Sequence, residues 1–239
     1  ISPPNDQPEN ALKDSLPPFK KFTGYHGYWP VHPERTELRF GGLEDLRHLV
    51  AAAHERGIRV IFDLVANHVH EDHPYYRDHP DWFGSVDLPD GSRNIRKWEN
   101  PYTTWFDEFL PDIAYDADTP ISAMTANARW WIDQTGADGF RLDAVKHVPP
   151  KFWLRLRQAM GDSPVYFVGE TIDSRKTIMN FVGPGALDGQ FDFNLYFDAR
   201  TVFIADDEPF QTLSNSLASS LAFYGCHSLM GNITGNHDL

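Results

Sequence analysis

Four short apolar runs in this chain each break off into a polar cluster rich in carboxylate, and that recurrence limits the folds open to it. Residues 58–62 run into Asp63, Asn67 and His68, and residues 165–168 into Gly169 and Glu170. Residues 228–233 run into Asn236, His237 and Asp238, while the stretch G-F-R-L-D-A-V-K-H from Gly139 carries Phe140 and Leu142 into Asp143. Runs that are apolar throughout, rather than alternately, belong to strands buried on both faces, as in a parallel sheet. Acids at the carboxyl ends of successive buried strands are how a (β/α) barrel assembles a reactive site. The fold class expected is therefore α/β, and the chain reads as an enzyme.

The segments between the runs support alternation of strand and helix. Leu43, Leu46, Val50 and Ala53 recur at helical spacing and Gly57 closes them. Thr119 as N-cap and Pro120 as first residue open a second helix, with Ile121, Met124, Ala128 and Trp131 on its apolar face and Gly136 at its end. Pro149 and Pro150 start a third, carrying Phe152, Leu156 and Met160 to Gly161; Phe210, Leu213, Leu217 and Leu221 mark a fourth. A weaker strand is expected over 191–195, and Ile1-Ser2 reads as the end of another. Between His70 and Asp112 neither period persists, and prolines mix with Trp82, Phe83, Trp98, Tyr102, Trp105 and Phe106. An excursion that long is an inserted functional unit. The expected division is 1–69 barrel, 70–112 insertion and 113–239 barrel.

Composition narrows the function. A formal net charge of −13 lacks the basic footprint that nucleic acid requires, and no apolar run is long enough to cross a bilayer. The single cysteine, Cys226, allows no internal disulfide and has the apolar neighbours of a core residue. Aromatics at 14% leave a surplus on loops, where sugar rings could stack. Because the sequence opens on Ile1, the want of a signal peptide says nothing about compartment.

Cleaving a glycosidic bond with retention needs two facing carboxyls, one to attack and one to protonate the leaving oxygen. Arg141 and Asp143 are two apart on a strand and share a side, so Arg141 should keep Asp143 ionised. Glu170, after an apolar strand and a glycine, should have a raised pKa suited to the acid role. Asp238 could hold sugar hydroxyls.

At these residues the sequence resembles the α-amylase family of glycoside hydrolases. Asp63 to His68, Gly139 to His147, Gly169-Glu170-Thr171-Ile172 and Asn236-His237-Asp238 resemble its four signatures in order. Leu110-Pro111-Asp112 resembles a further signature, and Tyr25-His26-Gly27-Tyr28-Trp29 the aromatic wall of the cleft. The resemblance implies a (β/α)8 barrel with a domain inserted between strand 3 and helix 3. It implies Asp143 as nucleophile, Glu170 as general acid/base and Asp238 as transition-state stabiliser. Arg141, His68, His237, Tyr28, His26 and Trp29 would line the cleaved sugar's subsite, Asp63 would brace it, and Lys146 and His147 would meet the leaving-group side. A calcium ion would take Asn67, Asp112 and the His147 carbonyl; Asn67 as a plain turn residue is the alternative. His32, Thr234 and Gly235 depart from the family's usual residues without touching the acids.

The resemblance implies endo-hydrolysis of α-1,4-glucosidic bonds in starch-like glucans by a secreted or periplasmic enzyme, oligomeric state open. A glucanotransferase would use the same three acids, but Thr171 and Ile172 stand where transferases tend to carry aromatics. A non-catalytic glucan-binding barrel would typically have lost an acid. Counted by resemblance, Ile1-Ser2 ends strand 2 and Asp238 follows strand 7. The expectation is therefore an incomplete barrel, without strands 1 and 8 or a C-terminal β domain, and with open sheet edges.

Overall fold

A computed structural model describes residues 24, 26–205, 207–225 and 228–238. The expectations for Ile1-Ser2, Tyr25 and Cys226 lie outside them. Four parallel strands, β1 (Ile61–Leu64), β2 (Gly139–Leu142), β3 (Tyr166–Gly169) and β4 (Gly189–Gln190), form one sheet in sequence order. Helices connect them: α1 (Leu43–His54) precedes β1, α2 (Pro74–Asp78) and α3 (Asp118–Thr135) precede β2, and α4 (Pro150–Met160) precedes β3. α5 (Arg175–Met179) leads to β4, and α6 (Phe193–Arg200) and α7 (Phe210–Tyr224) follow it. Among the described residues no helix is long and apolar enough to cross a membrane.

The core lies between the sheet and α3 and α4. Leu64, Phe140, Leu142 and Phe167 from the strands meet Trp131 and Ala128 of α3 and Phe152, Trp153 and Leu156 of α4, all essentially inaccessible. Each large side chain so buried contributes roughly 1.5–3 kcal/mol, which fixes the strand ends that carry the acids. Gly139 is required where β2 meets β3, because a Cβ there would lie 2.0 Å from the Tyr166 carbonyl oxygen.

Four expectations need correction. The first strand begins at Ile61, not Ile58. Ile58 is 56% exposed, and the Val60 N–H is taken by the Asp138 carboxylate, so the chain is held at Asp138 before it joins the sheet. The second helix opens at Asp118 with Ala117 as its N-cap, which places Thr119 inside the helix. The strand expected over 191–195 is β4, two residues long and earlier; the Asp192 carboxylate accepts the Leu195 N–H and starts α6 instead. Residues 228–233 form no regular strand. Only Gly231 bridges, parallel to Phe191, with Leu229 and Gly231 N–H groups donating to Asp188 and Gln190.

Candidate active site

The sheet register builds the site. Asp63 is the partner of Arg141 across β1 and β2, and Leu142 is the partner of Gly169 across β2 and β3. One residue further on, Asp143 and Glu170 leave the sheet side by side. The Glu170 N–H donates to the Leu142 carbonyl, and the Val145 N–H donates to the Glu170 carbonyl, so the two acid-bearing ends are tied together beyond the sheet. Ala144 reverses the chain there in the left-handed region, at φ 48°. Gly169 permits this approach: a Cβ would meet Val145 Cγ2 at 2.8 Å and Leu187 Cδ2 at 2.4 Å.

Arg141 is the hub. Its Nη1 donates to Asp63 Oδ1 at 2.8 Å and Asp143 Oδ1 at 2.7 Å, and its Nη2 lies 2.6 Å from Glu170 Oε2. Tyr28 closes the cluster, its hydroxyl donating to Asp63 Oδ2 at 2.9 Å. Three carboxyls around one guanidinium cannot all be stabilised by it. Burial pushes Asp143 up to about 7, with Asp63 and Glu170 adding to the shift and Arg141 opposing it. This departs from the ionised Asp143 expected from the sequence. Asp143 is the acid driven towards its neutral form, and Glu170 sits against the cation rather than in an apolar pocket.

The aromatic wall is a ladder of rings, with Tyr28 stacked on His26 at 5.5 Å and on His237 at 5.4 Å. Trp29 is buried against Phe109 and the edge of His26, so its indole supports the wall from behind and offers no face to the cleft. His68 is buried, and its Nε2 lies 3.0 Å from the Tyr28 carbonyl oxygen. That nitrogen must then carry the proton, which leaves Nδ1 to accept from Asn67 Nδ2. Burial lowers the His68 pKa to about 4, so the ring is neutral. Asp238 stands at the rim, half exposed and paired with His237 at 3.2 Å, outside the Arg141 cluster. Asn236 reaches inward, its Nδ2 3.4 Å from Glu170 Oε1.

On the other side of Glu170 a cavity of about 660 Å³ is lined by Trp98, Tyr102, Phe106, Lys146, Ile172 and Asp173. His147 packs its ring against Trp98 and Phe106 and bonds the Pro101 carbonyl oxygen through Nδ1, joining this wall to the segment 70–112. Sequence reasoning missed Asp173, which is tied to Lys146; an acid three residues beyond Glu170 in a strand-end loop was the available signal.

The residues implied as calcium ligands show a distinct chemistry. Asn67 Oδ1 and Asp112 Oδ2 are both buried without a hydrogen-bond donor among the described residues. Burial drives Asp112 well above the usual carboxylate range. A Cβ placed on Gly84 would lie 3.8 Å from Asp112 Oδ2 and 3.9 Å from the Thr103 carbonyl oxygen, so two oxygens face one small space. Unpaired buried oxygens suit a hard cation. Among the described residues no group of three or more His, Cys, Asp or Glu side chains converges as a metal site, so a cation here would rely on amide and carbonyl oxygens as well.

The profile of the α-amylase catalytic domain family matches residues 2–239. The chain is 31% identical over 208 residues to Alpha-amylase 3 of Dictyoglomus thermophilum, covering 75% of this chain and 39% of that one. It is 26% identical to the cyclomaltodextrin glucanotransferase of Paenibacillus macerans, covering 91% of this chain and 33% of the other. The solved Anoxybacillus α-amylase superposes with a TM-score of 0.80 at 33% identity, over 90% of this chain and 48% of that structure. The chain thus spans less than half the length of these relatives. A parallel sheet with acids at the ends of its first three strands, matched by that profile along nearly its whole length, is part of a (β/α)8 barrel, and the chain belongs to the α-amylase family of glycoside hydrolases.

Proposed function

We propose that this chain carries the catalytic centre of an α-amylase-type enzyme that hydrolyses internal α-1,4-glucosidic bonds with retention. The observation that carries this reading is the pairing of Asp143 and Glu170 on one guanidinium at adjacent strand ends. Neighbouring strands lie about 4.8 Å apart, which suits the roughly 5–5.5 Å between carboxyls that retention uses. Retention requires a proton on Glu170 and the charge on Asp143. Glu170 gives that proton to the glycosidic oxygen as Asp143 bonds to the anomeric carbon. Glu170 then takes a proton from water, which displaces Asp143 and restores both groups. Arg141 balances the charge, the ring ladder around Tyr28 holds the sugar, and Asp238 turns from His237 to steady the positive charge on the ring.

Asn67 and Asp112, with the His147 carbonyl, are proposed to hold calcium, which would supply positive charge to their unpaired oxygens. Its part is structural.

Asp143→Asn in the intact enzyme should lower starch cleavage by roughly 10³-fold or more, because an amide cannot form the glycosyl ester. Proton NMR of the parent's first products should show the α-anomer; the β-anomer would refute retention. The exposed faces of Trp98 and Tyr102 favour a second reading, transfer to a sugar acceptor. Cyclic or lengthened products from soluble starch would select it.

A further inference from the structure

Lys146 and Asp173 stand on different loops of the cleft. Lys146 lies in the short 3₁₀ turn Val145–His147, just after Asp143, and Asp173 lies three residues beyond Glu170. The Lys146 ammonium donates to the Ile172 carbonyl at 2.9 Å and to Asp173 Oδ2 at 3.2 Å. Asp173 is itself held, its Oδ1 accepting the Ser174 N–H at 2.7 Å and its carbonyl accepting Asn194 Nδ2 at 2.8 Å. Both side chains line the cavity on the leaving-group side of Glu170 and keep about a third of their surface open, 33% and 35%.

An ammonium has three N–H donors in a fixed tetrahedron. With two committed to one loop, the third has a set direction, and it belongs to a side chain whose open surface faces the cavity. A free lysine must give up rotamer freedom to make a directed bond; here most of that ordering precedes substrate. We propose that Asp173 is a positioning residue. It holds the Lys146 ammonium so that the remaining N–H meets a hydroxyl of the sugar on the leaving-group side, and it thereby sets the preference for substrates that place a sugar there. This inference rests on the proposed hydrolysis of α-glucans.

The test compares two substrates in the intact enzyme. A linear maltohexaose places sugars on both sides of the cleaved bond, whereas a nitrophenyl α-maltotrioside puts only an aryl group on the leaving side. In Asp173→Ala, the ratio of kcat/KM for the hexaose to that for the aryl glycoside should fall about ten-fold, the loss expected for one directed hydrogen bond from a charged group. Asp173→Asn keeps an acceptor without the charge and should fall in between. Lys146→Met should lower the ratio similarly, and adding Asp173→Ala to it should lower it little further, since both changes remove one interaction. An unchanged ratio, an equal fall on both substrates, or additive losses in the double variant would each overturn the proposal. A parent enzyme that cleaves neither substrate would instead refute the underlying reading of α-glucan hydrolysis.

Discussion

Asp63, Asp143 and Glu170 set up to three negative charges against the single positive charge of Arg141, and the excess shapes stability as well as chemistry. Asp143 has a folded pKa of about 7, against roughly 3.9 in an unfolded chain. Below pH 4 both states hold the proton and there is no penalty. Between pH 4 and 7 the unfolded state releases it and the folded state does not, so folding loses stability as pH rises, up to about 4 kcal/mol. Asp143→Asn removes that titration while keeping an oxygen for Arg141. Its stability gain over the parent should therefore be larger at pH 8 than at pH 4.5, measured by urea unfolding. A gain independent of pH would show that Asp143 is not the group that titrates. The acids themselves could be read from the sequence, because each ends an apolar run. Their protonation could not, since it depends on burial depth and on how many carboxyls share one guanidinium.

Helix α2 shows the same linkage with the opposite sign. His73 is its N-cap, with Nδ1 accepting the Tyr75 N–H at 3.0 Å, and burial lowers its pKa to about 3, with help from His32 and His70. An unfolded histidine takes up a proton below about pH 6.5, and the folded one does so only near pH 3. Stability is therefore full above pH 6.5 and is lost as pH falls, by about 2 kcal/mol at pH 5. Asn is an effective N-cap and does not titrate. His73→Asn should narrow the difference in unfolding free energy between pH 7.5 and pH 5 by about 2 kcal/mol, and an unaltered difference would locate the acid sensitivity elsewhere. Element ends were most legible where glycine stops a helix, as Gly136 does in the left-handed conformation after α3. They were least legible where a side chain overrides propensity, as Asp192 does in starting α6. The apolar face of α7 was visible too, but it is not core among the described residues: Phe210 and Leu221 are each 70% exposed.

At the scale of the whole molecule, the segment 70–112 is stitched to the sheet at its neck. Asp112 bridges to His68, the Ile113 N–H donates to the Asn67 carbonyl, and the Val69 N–H donates to the Pro111 carbonyl. The unpaired oxygens of Asn67 and Asp112 lie at that same neck. If calcium holds them, excess chelator should lower the melting temperature by several degrees. An unchanged melting curve together with no metal in elemental analysis would end the calcium proposal. The excursion also separates the strands unequally along the chain. Pairing β1 with β2 closes a loop over residues 65–138, roughly three times as long as the loop over 143–165 that pairs β2 with β3. Closing the longer loop costs about 1 kcal/mol more chain entropy. Of the two pairings, the one that brings Asp143 beside Glu170 is therefore the less demanding for a disordered chain, and Asp63 joins them through the more demanding one.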